Sequence, residues 1–107
     1  MEDRSPKDET QKGGPMKDGH YFNKVEDEIW VQDGKYHRED GPAVIWSNGP
    51  QFWFQNGEYH REDGPAIMWN NGDKEFWLYD IPYPQIKNDV LWRIEVQRLK
   101  RKEKEII

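Results

Sequence analysis

Large apolar residues alternate with their neighbours along much of this chain. Ile29, Val31, Phe52, Phe54, Phe76 and Leu78 fall on one side of their segments, and Trp30, Trp53 and Trp77 fall on the other. A period of two is the mark of a β-strand. Asn48-Gly49, Asn56-Gly57 and Asn71-Gly72 interrupt the pattern, each flanked by aromatic or β-branched residues. Asn-Gly suits a type I′ hairpin turn, which needs positive φ at both central positions, and Asp33-Gly34 fits the same role. Residues 20–80 therefore predict successive antiparallel strands, near 44–47, near 51–55 and in a short return through Tyr59-His60. Pro42 and Pro65 open strands, a position that tolerates a missing N–H. Apolar groups on both faces of such a sheet call for two covers. Residues 84–104 supply one: helix formers with Pro84 at the start, and Ile86, Val90 and Ile94 at four-residue spacing beside Leu91. Trp92, Val96 and Leu99 make a second stripe, and Lys87, Arg93, Glu95 and Arg98 the polar side. The run Lys100-Arg101-Lys102-Glu103-Lys104-Glu105 is expected to project or fray. The predicted fold is mainly β with one C-terminal α-helix (α+β), an antiparallel meander of repeated β-hairpins with the helix packed on one face. The helix is assigned to the Phe52/Phe54 face, although the pattern sets only that the two faces oppose each other and the reverse assignment also fits.

The meander is a tandem repeat. Tyr-His-Arg-Glu-Asp-Gly-Pro-Ala occurs unchanged at residues 36–43 and 59–66, an offset of 23 residues. Ile29-Trp30-Val31-Gln32-Asp33-Gly34-Lys35 aligns with Phe52-Trp53-Phe54-Gln55-Asn56-Gly57-Glu58 before it. Val44-Ile45-Trp46-Ser47-Asn48-Gly49 aligns with Ile67-Met68-Trp69-Asn70-Asn71-Gly72 after it. A third copy begins with Glu75-Phe76-Trp77-Leu78-Tyr79-Asp80. It aligns on its tryptophan with one inserted residue and stops at Ile81-Pro82-Tyr83-Pro84, as degenerate terminal repeats do.

Composition narrows the picture. The chain has 107 residues, room for one small domain, and only 34% are hydrophobic, yet six are tryptophan. Each large ring buries about 150–250 Å², so the core should be aromatic. No cysteine is present, which excludes disulfides and thiolate metal sites. No run reaches the ~18 apolar residues of a membrane span, and the first residues lack the apolar segment of a signal peptide, so a cytoplasmic location is expected. Residues 1–19 are almost devoid of apolar groups and are expected to be a disordered tail. They precede a repeat domain at 20–83 and a helix with a basic end at 84–107. Residues 21–83 carry five basic and twelve acidic side chains, net −7, and residues 84–107 carry net +3, within a total of −5. An acidic repeat region repels nucleic acid and attracts basic protein surfaces.

Candidate chemistry gathers in the duplicated motif. His37, Arg38, Glu39 and Asp40, and again His60, Arg61, Glu62 and Asp63, invite a general-base or metal-ligand reading. Equivalent residues two strand spacings apart lie about 10 Å from each other, poorly placed to act as a pair. A duplicated constellation on a duplicated turn is more naturally structural. Its carboxylates would accept loop N–H groups, its arginine would fork onto the neighbouring copy's carboxylate, and Gly-Pro would reset the chain. Trp and Tyr at repeat spacing could instead form sugar- or choline-binding platforms. The basic helix end could touch phosphates, although such runs more often complement the helix dipole. No phosphate loop, HExxH, CxxC or nucleophile elbow occurs, so no enzyme, cofactor or metal is expected.

Trp-x-x-(Asn/Asp)-Gly-x-Tyr-His-Arg-Glu-Asp-Gly-Pro-Ala, followed by an apolar trio and Asn-Gly, resembles the His-Arg-Glu-Asp-Gly-Pro-Ala tandem repeats of small phage and bacterial proteins. These are similar in plan to MORN-type β-hairpin repeats. The resemblance covers roughly residues 28–83. It implies an elongated hairpin sheet, a binding function and a possible phage origin, where small acidic proteins often inhibit host nucleases. The expected function is therefore a non-enzymatic protein-binding module, an inhibitor of a host defence nuclease complex of the anti-CRISPR kind. Its partner would be a protein with a basic, nucleic-acid-binding surface, rather than nucleic acid itself or a membrane. The candidate interface is Trp30, Trp53 and Trp77 with Asp27, Glu28, Glu58, Asp73 and Glu75. It would serve a target or a homodimer, and the competing reading is a small-ligand or carbohydrate binder.

Overall fold

Breaks in the strand run at Trp53 in the second copy and at Phe76 in the third set the architecture. The computed structural model describes residues 17–106, so most of the tail expected at 1–19 lies outside the described residues. The strands are β1 (Gly19–Phe22), β2 (Glu28–Gln32), β3 (Lys35–Tyr36), β4 (Val44–Ile45), β5 (Gln51–Phe52), β6 (Phe54–Gln55), β7 (Glu58–Tyr59), β8 (Ile67–Met68), β9 (Lys74–Glu75), β10 (Trp77–Leu78) and β11 (Ile81–Pro82). One helix follows, α1 (Asp89–Ile106). An antiparallel sheet runs β1-β2-β4-β5-β8-β9, with β3 also on β2, while β6–β7 and β10–β11 form separate hairpins. In the first copy a single strand, β2, pairs with β4 through Glu28 and Ile29 and with β3 through Val31 and Gln32. In the second copy the same run is split at Trp53 into β5 and β6. The protein is thus a meander of antiparallel strands with one C-terminal helix. Gly19 belongs to its first strand rather than to a tail, and Asp18 Oδ1 accepts the Gly34 N–H at 2.9 Å.

The 23-residue period is strict in space, and this corrects the alignment of the third copy. Phe52 pairs with Val44, and Glu75 with Ile67. Phe54 pairs with Tyr59, and Trp77 with Pro82. Positive φ recurs at Asp33-Gly34 (54° and 74°), Asn56-Gly57 (52° and 79°) and Tyr79-Asp80 (50° and 66°). There is no inserted residue. Glu75 stands where Phe52 stood, Phe76 takes the place of Trp53, and Trp77 takes the place of Phe54. A slip of one residue exchanges the faces of a strand. Trp77 therefore turns inward with Tyr59, and Phe76 and Leu78 turn outward. The turns also divide into two kinds. Asn48-Gly49 and Asn71-Gly72 have positive φ only at glycine (121° and 91°), so they are not type I′. They are longer loops, in which Trp46 N–H donates to Pro50 O and Trp69 N–H to Asp73 O, each at 2.9 Å.

Two apolar clusters result. The first joins Ile29, Val31, Tyr36, Ala43, Val44, Trp46, Phe52, Phe54 and Ile67, with Tyr21, Tyr59 and Trp77 packed against it. The second joins Phe76, Leu78, Ile86, Trp92 and Val96, with Tyr83 and Leu99 alongside. The helix therefore covers Phe76 and Leu78 of the last copy. It does not lie across Phe52 and Phe54. In register, its side of the meander is that of Trp30 and Trp53, so the reverse assignment is the correct one.

Helix α1 starts later than Pro84, because Asn88 caps it: its Oδ1 accepts the Leu91 N–H at 2.9 Å. Of the two predicted stripes, Trp92 (0% exposed), Val96 and Leu99 pack inward, whereas Val90 (63%), Leu91 and Ile94 face solvent. The polar run from Lys100 stays helical through Ile106. No helix among the described residues is long and apolar enough to cross a membrane.

Candidate functional site

The loops after β3 and β7 carry the two His-Arg-Glu-Asp motifs, and their contacts repeat at the sequence offset. Arg38 lies with its guanidinium carbon 3.7 Å from the Trp30 ring centre, and Arg61 lies 4.0 Å from that of Trp53. Each arginine also grips its own loop. Arg38 Nε donates to Asp40 Oδ1 (3.0 Å) and Nη1 to Pro42 O (3.3 Å). Arg61 Nε donates to Asp63 Oδ1 (2.8 Å) and Nη1 to Pro65 O (3.1 Å). The fork thus closes on the same copy, not on the neighbour's carboxylate as the sequence suggested. The arginine hydrogen bond holds the carboxyls of Asp40 and Asp63 below the usual carboxylate range.

The histidines provide the link between copies. Asn56 N–H donates to His37 Nδ1 and Tyr79 N–H to His60 Nδ1, both at 3.1 Å. With Nδ1 an acceptor, neutral imidazole keeps its proton on Nε2 and has no lone pair left for base catalysis. Nε2 of His60 lies 3.7 Å from Glu62, and Nε2 of His37 lies 4.0 Å from Glu39. Burial pushes the His60 pKa below its usual value, against the pull of Glu62 and Glu58. Among the described residues, no three His, Asp or Glu side chains converge as a metal site.

The candidate interface is dispersed. Trp30 is stacked on His20 at 4.1 Å (interplanar angle 4°) as well as on Arg38, and Trp77 faces inward against Tyr59 at 4.9 Å. Asp27 is buried at 1% exposure, where it accepts Ser47 N–H (2.7 Å) and the Asn23 amide (3.0 Å). Glu28 is bonded to His20 at 2.6 Å, and Glu75 accepts both Trp69 Nε1 and Trp77 Nε1. Glu58, at the start of β7, and Asp73, just before β9, remain exposed. The three tryptophans therefore do not share one face: Trp30 and Trp53 each lie under an arginine, whereas Trp77 packs inward.

What does face outward is carboxylate. The Glu39, Asp40 and Asp63 side chains are 83%, 87% and 86% exposed. Glu62 is met by Lys100 of the helix at 2.7 Å, an ion pair that raises the lysine pKa. A groove of about 520 Å³ runs between the two loops, walled by Glu39, Asp40, Glu62 and Asp63 and floored by Trp53, His60 and Tyr79. A second cleft, of about 480 Å³, lies between the Asn48-Gly49 and Asn71-Gly72 turns. Its residues were legible in the sequence only as turn signals and repeat positions. A scan of protein-family models and searches of curated proteins and of solved structures returned no match to this chain.

Proposed function

We propose that this chain is a non-enzymatic protein-binding module whose acidic repeat segment occupies a basic, nucleic-acid-binding surface on its partner. Such a module would act as an inhibitor of a host defence nuclease complex. One observation carries this reading. The repeated loops hold Glu39, Asp40 and Asp63 out into solvent, within a segment of net charge −7, while their histidines and arginines are tied into the fold. Charge displayed at fixed intervals speeds encounter with a basic surface and selects its register. The outward residues Val90, Leu91 and Ile94 offer further apolar contact area on the helix.

The test is a pull-down from host lysate on the immobilised chain between about 50 and about 500 mM salt, where screening shortens from roughly 14 Å to 4 Å. The reading expects a stoichiometric nucleic-acid-binding protein, lost at high salt and displaced by its own nucleic acid. It expects the Glu39→Lys/Glu58→Lys variant, which alters exposed residues only, to lose the partner at unchanged melting temperature. Retention insensitive to salt and to both charge reversals would overturn it.

A further inference from the structure

The second cleft belongs to neither the repeat contacts nor the acidic loops, and its chemistry is different. Trp46 and Trp69 are equivalent residues one repeat apart, but only Trp69 is open, at 39% exposure against 4%. The cause is the residue that faces each. Trp46 packs edge-on against Phe52 (6.2 Å, 86°), whereas the position equivalent to Phe52 one copy later is Glu75. That carboxylate accepts the Trp69 indole N–H at 2.7 Å. Phe52 supports the other side of the Trp69 ring at 5.5 Å and 83°. The ring is therefore fixed in orientation while much of its surface stays wet.

Polar groups surround it. Asn70 Nδ2 donates to the Asn48 carbonyl and joins the two turns. Asp73 accepts the Asn71 amide through Oδ2 at 3.1 Å. The Asn48 side-chain amide, Asn70 Oδ1 and Asp73 Oδ1 make no hydrogen bond among the described residues, and all three residues line the cleft, with Asn70 Oδ1 set against Gly49. No lysine, arginine or histidine lines it.

We infer that this cleft binds a neutral sugar, with the pyranose C–H face on Trp69 and its hydroxyls on Asn48, Asn70 and Asp73. A hydroxyl both donates and accepts, and the free groups supply an amide donor and carbonyl or carboxylate acceptors. Phosphate, sulfate and carboxylate ligands find no cation there. A quaternary ammonium needs several open ring faces, and Trp46 and Phe52 at 4% and 2% exposure offer none. The volume of about 480 Å³ lies within the range of small-molecule sites. One open ring and a few amides make a weak site, with a dissociation constant on the order of 1 mM.

The experiment is titration of the full chain with glucose, galactose, mannose and N-acetylglucosamine and with their disaccharides. Backbone, indole and side-chain amide signals are followed by NMR, with tetramethylammonium and inorganic phosphate as comparisons. At least one sugar should shift the Trp69 indole N–H and the Asn48 amide together and saturably. Trp69→Leu should abolish the Asn48 shift. Because a half-exposed tryptophan also contributes to folding, Asn48→Ala is the second variant: its amide holds nothing in the fold, and its loss should weaken binding about tenfold at unchanged melting temperature. Silence of Trp69 toward every sugar, equal response of wild type and Asn48→Ala, or saturation by tetramethylammonium or phosphate instead, would overturn the assignment. None of these outcomes bears on the acidic loops.

Discussion

Arg61 allows the role of the duplicated motif to be measured. Replacing it by alanine removes three contacts at once. The guanidinium above Trp53, 4.0 Å from the ring centre and over a half-buried indole, contributes about 0.5–2 kcal/mol. The bond to Pro65 O at 3.1 Å is charge-assisted and part-buried, about 1.5–3 kcal/mol. The pair with Asp63 is short, but that carboxylate is 86% exposed, so solvent reduces it to about 0.2–1 kcal/mol. These contacts share one rigid group and do not add fully, so a loss of about 3 kcal/mol is expected for Arg61→Ala. A domain of this size has roughly 5–15 kcal/mol in total, and the melting temperature should fall by about 10–20 °C. Arg61→Lys is the informative companion. Lysine can keep a charge over the ring but lacks the planar fork that reaches Asp63 and Pro65 together, so it should recover about half of the loss. Arg38→Ala, which removes the same contacts from the first copy, should behave alike. Urea denaturation monitored by tryptophan fluorescence gives both midpoint and slope. A loss under about 0.5 kcal/mol for Arg61→Ala at unchanged slope, or full stability in Arg61→Lys, would refute the reasoning.

Gly64 lies so close that an added Cβ would sit 2.7 Å from Arg61 Cζ, so Gly64→Ala should dislodge the guanidinium and lose about 1–3 kcal/mol in the same assay. Trp92→Ala should lose about 3–5 kcal/mol, whereas Leu91→Lys at an exposed position of the same helix should stay within about 0.5 kcal/mol, as thermal melts would show. Stability should fall as pH drops below about 6.5, because the unfolded chain protonates His60 more readily than the folded one, whose imidazole is held neutral by burial. His60→Asn keeps an acceptor for Tyr79 N–H but cannot titrate, so it should flatten the melting temperature between about pH 7 and pH 5. Persistence of the decline in that variant would reject His60 as its source.

The local rules read well where side chain and backbone preference agree. Asp33-Gly34 and Asn56-Gly57 announce their turns, and the strands, the helix and the Trp92, Val96 and Leu99 stripe follow from periodicity. The third turn was illegible because Tyr79-Asp80 adopts positive φ without a glycine, held by Asp80 N–H to Tyr59 O and by Asp80 Oδ1 on Tyr59 N–H, at 2.9 and 2.8 Å. Missing that turn, the alignment favoured the identity of Trp77 with Trp53 over a fixed spacing, and the faces of the last copy came out reversed. The interface acids misled for another reason. Composition counts Asp27, Glu28 and Glu75 as charge, but in the fold each is engaged by a backbone amide, a histidine or an indole. The sugar cleft was hidden because Asn48 reads first as a turn residue and Asn70 only as a position in the repeat alignment.

The invariant 23-residue spacing of every joint between copies has a consequence for how such a chain can change in length. His60 receives an amide from the copy that follows it, as His37 does, and Trp46 and Trp69 open loops of the same kind. Excising one unit between the two identical octapeptides, or inserting one there, creates no sequence junction that the parent lacks, although it brings new pairs of copies side by side. The ends keep their own chemistry, with His20 beside the first tryptophan and Trp92 beside Phe76 in the last copy. Unequal crossing-over within the repeat would therefore yield shorter or longer chains whose sequence junctions are all ones the parent already uses. Copy number is a heritable dimension of this fold, adjustable in steps to the length of whatever surface it meets.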